Sequence, residues 1–179
     1  MPVAIRLEYG IGSEAGGDSS VQELAAAFER AGEELHDFGK HIFPQLVPVF
    51  EEGVGRQFDA RGGGSTGSWA PLSAVYSAWK AKAYPGLPLL ERTHALRDAL
   101  TNGTASGAYR IYNSDKFDFG TQGIEYASHH QTGTPRMPTR AVFDFDSQFD
   151  KDFEGAAKRG MREAIRASRL EQAGVTVED

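Results

Sequence analysis

The stretch SVQELAAAFERAGEELHDFGKHIFPQLVPVFEEGVGRQF, residues 20–58, decides the fold because its apolar residues recur in steps of three and four. This spacing places them on one face of a helix. Ser20 and Glu23 have the spacing of a capping box, which predicts where the helix begins. Pro44 and Pro48 each remove a backbone N–H, so we expect a kink or a break close to them.

A helix of this length is difficult to cover with the rest of a 179-residue chain. We therefore expect part of its apolar face to pack against a neighbouring subunit. The candidate interface residues on the helix are Leu24, Phe28, Leu35, Phe38 and Ile42.

The remaining elements are shorter. Alternation of apolar and polar residues predicts strands at 2–9, 107–112, 116–120 and 141–145, with the middle two forming a hairpin. Helical spacing predicts a short amphipathic helix that carries Val75, Tyr76 and Trp79 after the N-cap Ser73, and a second one that carries Leu96 and Leu100 after Thr93. Two more helices are predicted at 124–131 and 147–170.

These elements predict an α+β fold, in which a small, mainly antiparallel sheet is packed with a long N-terminal helix and a C-terminal helix. We expect a single domain over residues 1–179, with a flexible glycine-rich loop at 61–68 and a loose C-terminus at 171–179.

Composition excludes several classes of protein. The chain has no cysteine, which rules out disulfides and thiolate zinc sites. Its net charge of −6 makes it a poor general binder of nucleic acid, because phosphate contacts need clustered Lys and Arg. No targeting segment and no membrane-spanning stretch are predicted.

The glycine-rich stretch 61–68 resembles a phosphate-binding loop only in its glycines. Ser68 and Trp69 follow Gly67, no lysine is present, and a helix precedes the stretch, so the phosphate-loop interpretation is rejected. Two interpretations remain: a plain linker, or a mobile loop that becomes ordered on a partner. The candidate interface residues here are Gly63, Gly64, Ser65 and Trp69. Trp69 is interpreted either as an interface anchor or as a core residue that fixes the loop.

The histidines do not predict a metal site or a cofactor. His129 and His130 are adjacent, so a helix directs them differently, and no acidic residue stands at ligand spacing in that helix. His36 and His41 are five residues apart, which is also unsuitable for a helical zinc pair. We expect His130 and Gln131 to hydrogen-bond the backbone near Gly133 and hold its turn.

Two blocks of sequence carry a family resemblance. The first is WAPLS at 69–73, then Lys80, then LLERTHALRDAL at 89–100. The second is YASHHQTG at 126–133, then PTRAVF at 138–143. In order and spacing, both are similar to the phage virion morphogenesis family of Mu-like and related phages, which includes tail completion proteins. His94 stands where that family usually has Gly.

The resemblance implies a structural protein, and not an enzyme, that forms a ring at the tail end or neck of a tailed phage. It implies further copies of the chain as partners, six being expected, together with the tail tube and the neck or connector proteins. It also implies location in the virion, with assembly in the host cytoplasm. The residues assigned to fixing this fold are Leu72, Tyr126, His130, Gln131, Gly133 and Arg140.

A cluster of basic residues in the last helix has two interpretations. Lys158, Arg162, Arg166 and Arg169 fall at helical spacing. Such a face is usually solvated. In a ring, it would instead face DNA passing through the lumen, or an acidic patch on the next subunit.

The alternative function is a small hydrolase that uses a carboxylate with His129 or His130. Acid–base catalysis requires a convergent polar pocket. The hydrolase therefore predicts a monomer with a deep polar cleft, whereas the structural protein predicts large contacts between subunits.

Overall fold

The computed structural model describes residues 5–7, 17–168 and 175–177. In chain order, its elements are β1 (Ile5–Leu7), α1 (Gly17–His36), α2 (Phe38–His41), α3 (Phe43–Ala60), β2 (Gly62–Gly64), β3 (Gly67–Ser68), α4 (Ala74–Ala83), α5 (Ala95–Thr101), β4 (Ala108–Tyr112), β5 (Phe117–Thr121), α6 (Tyr126–Thr132), α7 (Ser147–Ala167) and β6 (Val175–Val177).

The chain was expected to be a single domain, and it divides into two compact units. The first unit comprises Met1–Gln45, Tyr112–Lys116 and Ala156–Asp179, and the second comprises Leu46–Ile111 and Phe117–Gly155. Each is described below by itself.

The predicted α+β class is confirmed. Within the described residues, the strands form three two-stranded ribbons: β1 with β6, β2 with β3, and β4 with β5. β1 and β6 are antiparallel, with Ile5 opposite Val177 and Leu7 opposite Val175. The predicted hairpin is confirmed as β4–β5. Strand β6 was not predicted, because residues 171–179 were expected to be loose.

The long helical stretch is interrupted twice. Asp37 leaves the helical conformation, and its carboxylate accepts a hydrogen bond from the backbone N–H of Lys40 at 3.2 Å, which caps α2. The second interruption is at Ile42, so the expected break close to Pro44 is confirmed. Pro44 falls in the first turn of α3, where a missing N–H has no consequence. The interruption at Asp37 was not predicted.

In the first unit, helix α2 packs on the tip of the β4–β5 hairpin. The backbone N–H of Phe38 donates to the carbonyl of Ser114 at 2.9 Å. Gly39 permits this approach, because a β-carbon there would overlap the backbone oxygen of Asn113. The small residues Ala27 and Ala31 of α1 are buried, which lets this helix pack closely.

The second unit is built around one apolar cluster. Its buried members are Val54, Phe58, Trp69, Leu96, Leu100 and Val142. The Trp69 ring lies edge-on to Phe58 at 5.4 Å, and its Nε1 donates to the carbonyl of Ala141 at 2.8 Å. Trp69 is therefore a core residue of this unit, which agrees with the second of its two interpretations and not with an interface anchor. Burying the large apolar surface of the indole ring in the core is favourable, and its Nε1 still has a hydrogen-bond acceptor there.

The segment 141–145 was predicted as a strand, and this prediction is wrong. The segment lies in the core of the second unit, but no strand of the described residues pairs with it. Side chains bond its backbone instead: Trp69 and Gln57 donate to the carbonyls of Ala141 and Asp144, and Gln131 bonds the residues between them. Alternation in the sequence indicates an extended, half-buried segment, but it does not indicate which groups bond its backbone N–H and C=O groups.

The glycine-rich stretch is an ordered hairpin, β2–β3, so the prediction of a flexible loop is wrong. The carboxylate of Asp144 accepts hydrogen bonds from the backbone N–H and the hydroxyl of both Ser65 and Thr66. These bonds lower the pKa of Asp144 to about 2, against the opposing effect of burial. Gly62 has a φ of +94°, and a β-carbon on Gly64 would overlap the backbone oxygen of Asp144.

Replacing Gly64 with Ala should destabilise the fold by about 1–3 kcal/mol, because the added methyl group must displace the backbone of Asp144. Urea unfolding followed by circular dichroism measures the effect. Gly120→Ala is the matched control, because a β-carbon at Gly120 meets no atom within 4 Å. Equal stability of the two variants would contradict the close contact.

The pKa of Asp144 predicts acid sensitivity. Its folded-state pKa of about 2 lies below the ordinary value of 3.8, so the stabilisation is present above pH 3.8 and is lost as the pH falls towards 2. Asp144→Asn should remove about 2 kcal/mol at neutral pH and much less near pH 2. Urea unfolding across this pH range measures it. The exposed Asp150→Asn is the control, and a pH-independent Asp144→Asn effect would contradict the mechanism.

Candidate functional site

The second unit contains a cleft of about 550 Å³. It lies among α4, the segment before α5, α6 and the loop that follows α6. Its lining consists of Pro71, Leu72, Ser73, Tyr76, Lys80, Leu90, Arg92, Thr93, Tyr126, His130, Arg136, Met137, Pro138 and Arg140.

The structure brings the two sequence blocks together at this cleft. Four of the residues assigned to fixing the fold line it, namely Leu72, Tyr126, His130 and Arg140. The block at 69–100 therefore supplies one side, and the block at 126–143 supplies the other. Residues as far apart in the sequence as Pro71 and Arg140 thus form one site.

Arg140 ties the two blocks together. Its side chain is only 3% exposed. Its Nε donates to the carbonyl of Ala70 at 2.7 Å, and its Nη2 donates to the carbonyl of Pro71 at 2.9 Å. Burial lowers the pKa of Arg140, because a buried cation loses its hydration. The expectation that Arg140 fixes the fold agrees with these contacts.

Helix α4 buries its lysine and exposes its apolar residues. Lys80, at 7% exposed, is the one buried residue of α4. Its Nζ donates to the carbonyl of Pro88. Burial lowers the pKa of Lys80, and the carboxylate of Glu91 opposes part of that shift. Val75, Tyr76 and Trp79 are exposed by 83%, 41% and 45%. The amphipathic pattern was recognised, but its apolar face does not face the core.

His130 carries a buried ring nitrogen with no protein partner. Its Nδ1 makes no hydrogen bond among the described residues, while the ring lies edge-on to Tyr126 at 5.9 Å. Burial lowers the pKa of His130, and the charges of Arg140 and His129 lower it further. Its ring does not hold the turn at Gly133 as expected. Instead, its backbone carbonyl accepts a hydrogen bond from the N–H of Arg140 at 2.8 Å.

Gln131 holds the backbone of the core segment. Its Oε1 accepts hydrogen bonds from the N–H groups of Val142 and Phe143, each at 3.0 Å, and its Nε2 donates to the carbonyl of Phe143 at 3.2 Å. The predicted bonding to backbone is therefore present, but to a segment eleven and twelve residues away. Gly133 has a φ of +75°, and a β-carbon there would lie 2.8 Å from the Thr139 hydroxyl oxygen.

The start of α5 differs from the prediction. Thr93 does not cap it. His94 occupies the N-cap position with a φ of +58°, a left-handed conformation that favours glycine. The imidazole Nδ1 lies 2.9 Å from the carboxylate of Glu91, which is buried and also accepts bonds from Arg97 at 3.3 Å.

The remaining candidate interface residues differ in exposure. Phe28 and Phe38 are exposed, whereas Leu35 and Ile42 are partly buried. Leu24 lies in α1, but its side chain is outside the described residues. Gly63 and Ser65 are exposed at the hairpin, and Gly64 is partly buried against Asp144.

Sequence analysis missed several residues of the site. Arg136 lines the cleft, yet no spacing pattern marks it. Tyr76 was predicted only as part of the apolar face of a helix. Lys80 and Arg92 stood within the first resembling block, which was the one available signal for them. Asp144, which holds the β2–β3 hairpin, carried no signal at all, because its partners are 78 and 79 residues away.

The described residues contain no group of three or more His, Asp or Glu side chains placed to hold a metal ion. None of their helices combines the length and the apolar character needed to cross a bilayer.

Comparisons with protein-family models, with curated proteins and with solved structures give no significant match.

Replacing Gln131 with Ala should destabilise the fold by about 2–4 kcal/mol, because two N–H groups near the core lose their acceptor. Urea unfolding measures the loss. Gln122→Ala, at an exposed position, is the control and should change stability by less than about 0.5 kcal/mol. A Gln131→Ala variant as stable as the control would refute the role of Gln131 in holding the backbone of Val142 and Phe143.

Proposed function

We propose that this chain is a structural virion protein of a tailed phage, which forms a ring at the tail end or neck and helps to join the tail to the head. Its partners would be further copies of itself, the tail tube and the neck or connector proteins. Contact with DNA in the lumen would be passive. The chain would act through its surfaces, without catalysis.

The observation that carries this proposal is the outward apolar face of α4. Helices of globular proteins ordinarily turn their large apolar residues to the core. Here, Val75, Tyr76 and Trp79 face outward while Lys80 is buried. The rings of Tyr76 and Trp79 lie 5.2 Å apart, so they form one patch. Exposed patches that contain Trp and Tyr are typical of protein interfaces.

The resemblance of the two sequence blocks also supports the proposal. Residues of both blocks line one cleft, so the two blocks form one structural site and are not two unrelated stretches of sequence. His94 stands where the resembled family usually has Gly, and it adopts the left-handed conformation that glycine favours. The departure is therefore compatible with the same local backbone.

The hydrolase alternative has less support. A histidine base requires a carboxylate or a similar group to orient its ring. His129 is exposed, and no Asp or Glu lines the cleft beside His130. The positive charge of Arg140 also disfavours the protonated imidazole that general acid catalysis needs.

Light scattering of the full chain across a concentration series tests the proposal. We expect a mass that rises towards six times 19.4 kDa. The double variant Tyr76→Ser, Trp79→Ser should weaken association by about tenfold or more, because it removes two large aromatic contacts. Ile111→Ser, which changes an exposed apolar residue outside α4, is the matched control.

Co-sedimentation with purified tails of the phage that encodes the chain gives the second measurement. The wild-type chain and the Ile111→Ser variant should pellet with the tails, and the α4 double variant should not. A chain that stays monomeric and also fails to bind tails would contradict the proposal.

A further inference from the structure

Arg140 differs from three other arginines of the second unit in having no acidic partner. Each of those three has a carboxylate within 3.2 Å. The pairs are Arg56 with Asp152 at 3.0 Å, Arg97 with Asp59 at 2.6 Å, and Arg110 with Glu51 at 3.2 Å. The hydrogen bonds of the Arg140 side chain go to two backbone carbonyls, and no carboxylate of the described residues lies within ion-pair distance of it.

Arg140 is therefore a mostly buried cation whose side-chain hydrogen bonds go to carbonyl groups and not to a carboxylate. A guanidinium does not lose its proton in proteins, so burial cannot neutralise it. Removing a cation from water is unfavourable, and carbonyl dipoles replace only part of the lost hydration. Its Nη1 makes no hydrogen bond to the described residues and is not among their enclosed unpartnered atoms, so this end of the guanidinium is open to the cleft. An anion in the cleft would supply the missing partner.

The rest of the cleft carries charge of the same sign. Arg92 and Arg136 line it and are exposed, and Lys80 lies in its wall. The lining contains no Asp or Glu. The nearby carboxylate of Glu91 is already bonded to His94 and Arg97. The cleft therefore has a positive potential in a chain whose net charge is −6.

The walls of the cleft are mostly apolar. Its apolar lining residues are Pro71, Leu72, Leu90, Met137 and Pro138, and Tyr76 and Tyr126 add aromatic surface. A few charged groups among apolar walls are typical of sites that bind an apolar body through one polar group. The acidic net charge of the chain opposes a polyanion, so a single carboxylate is favoured over nucleic acid.

We propose that the cleft binds an acidic peptide segment, with one carboxylate paired to Arg140 and an adjoining apolar or aromatic side chain packed on the cleft walls. The exposed Arg92 and Arg136 complete the charge complementarity. The proposal concerns a binding site of the isolated chain, and it holds or fails independently of a role in the virion.

Small probes of matched shape test the site. N-acetylphenylalanine combines a carboxylate with an aromatic ring, and N-acetylphenylalaninamide is the same molecule without the charge. Titration of each into the isotope-labelled full chain, followed by NMR, gives the affinity and the residues affected. We expect the acid to bind with a Kd of about a millimolar, and the amide about tenfold more weakly. The shifted resonances should include those of His130 and Tyr126.

The decisive variant leaves Arg140 in place, because this residue also holds the backbone of Ala70 and Pro71. Arg92→Gln combined with Arg136→Gln should weaken binding of the acid by about fivefold through lost attraction at exposed positions. The matched control is Lys151→Gln combined with Arg159→Gln, which changes the net charge equally at exposed positions outside the cleft. Its affinity should stay within about twofold of wild type.

Any of four results would overturn the proposal. The first is equal binding of the acid and the amide, which would remove the role of charge. The second is an absence of saturable shifts in the cleft on addition of the acid. The third is a control variant that weakens binding as much as the cleft variant does. The fourth is binding of phenyl phosphate or inorganic phosphate more than about tenfold tighter than the acid, which would assign the site to phosphate.

Discussion

The second unit depends on one constraint: the backbone of residues 140–144 runs through the core, and no strand in the described part of the chain pairs with it. Buried N–H and C=O groups must find partners. Here, the side chains of Trp69, Gln131 and Gln57 supply them, and Arg140 begins the segment with bonds to a second loop. These contacts require helix α6 and the loop before α4 to lie against the same segment.

The cleft follows from this requirement. Gln131 fixes helix α6, and Arg140 fixes the loop at Ala70 and Pro71. Together they bring Leu72, Tyr126 and His130 around an open space. The same contacts place a guanidinium in the interior without a carboxylate. Arg140 therefore has two consequences: it holds the loop at Ala70 and Pro71, and it provides the cation of the proposed binding site.

The outward face of α4 has a related cause. Lys80 reaches inward to the carbonyl of Pro88, which orients the helix and turns Tyr76 and Trp79 away from the core. A lysine at a buried position is tolerated because its ammonium group has an acceptor there and Glu91 lies near. The apolar patch of α4 adjoins the cleft through Tyr76, so a protein partner is able to meet both.

The sequence by itself determined the α+β class, the helical break close to Pro44, and the β4–β5 hairpin, because periodicity and turn residues act over a few positions. Only the tertiary structure decided that Trp69 is buried, that residues 141–145 pair with side chains instead of a strand, and that Asp144 orders the glycine-rich hairpin. It also decided which residues of α4 face outward. The bonds of Trp69, Gln57 and Asp144 join residues 72–87 positions apart, which local patterns do not encode.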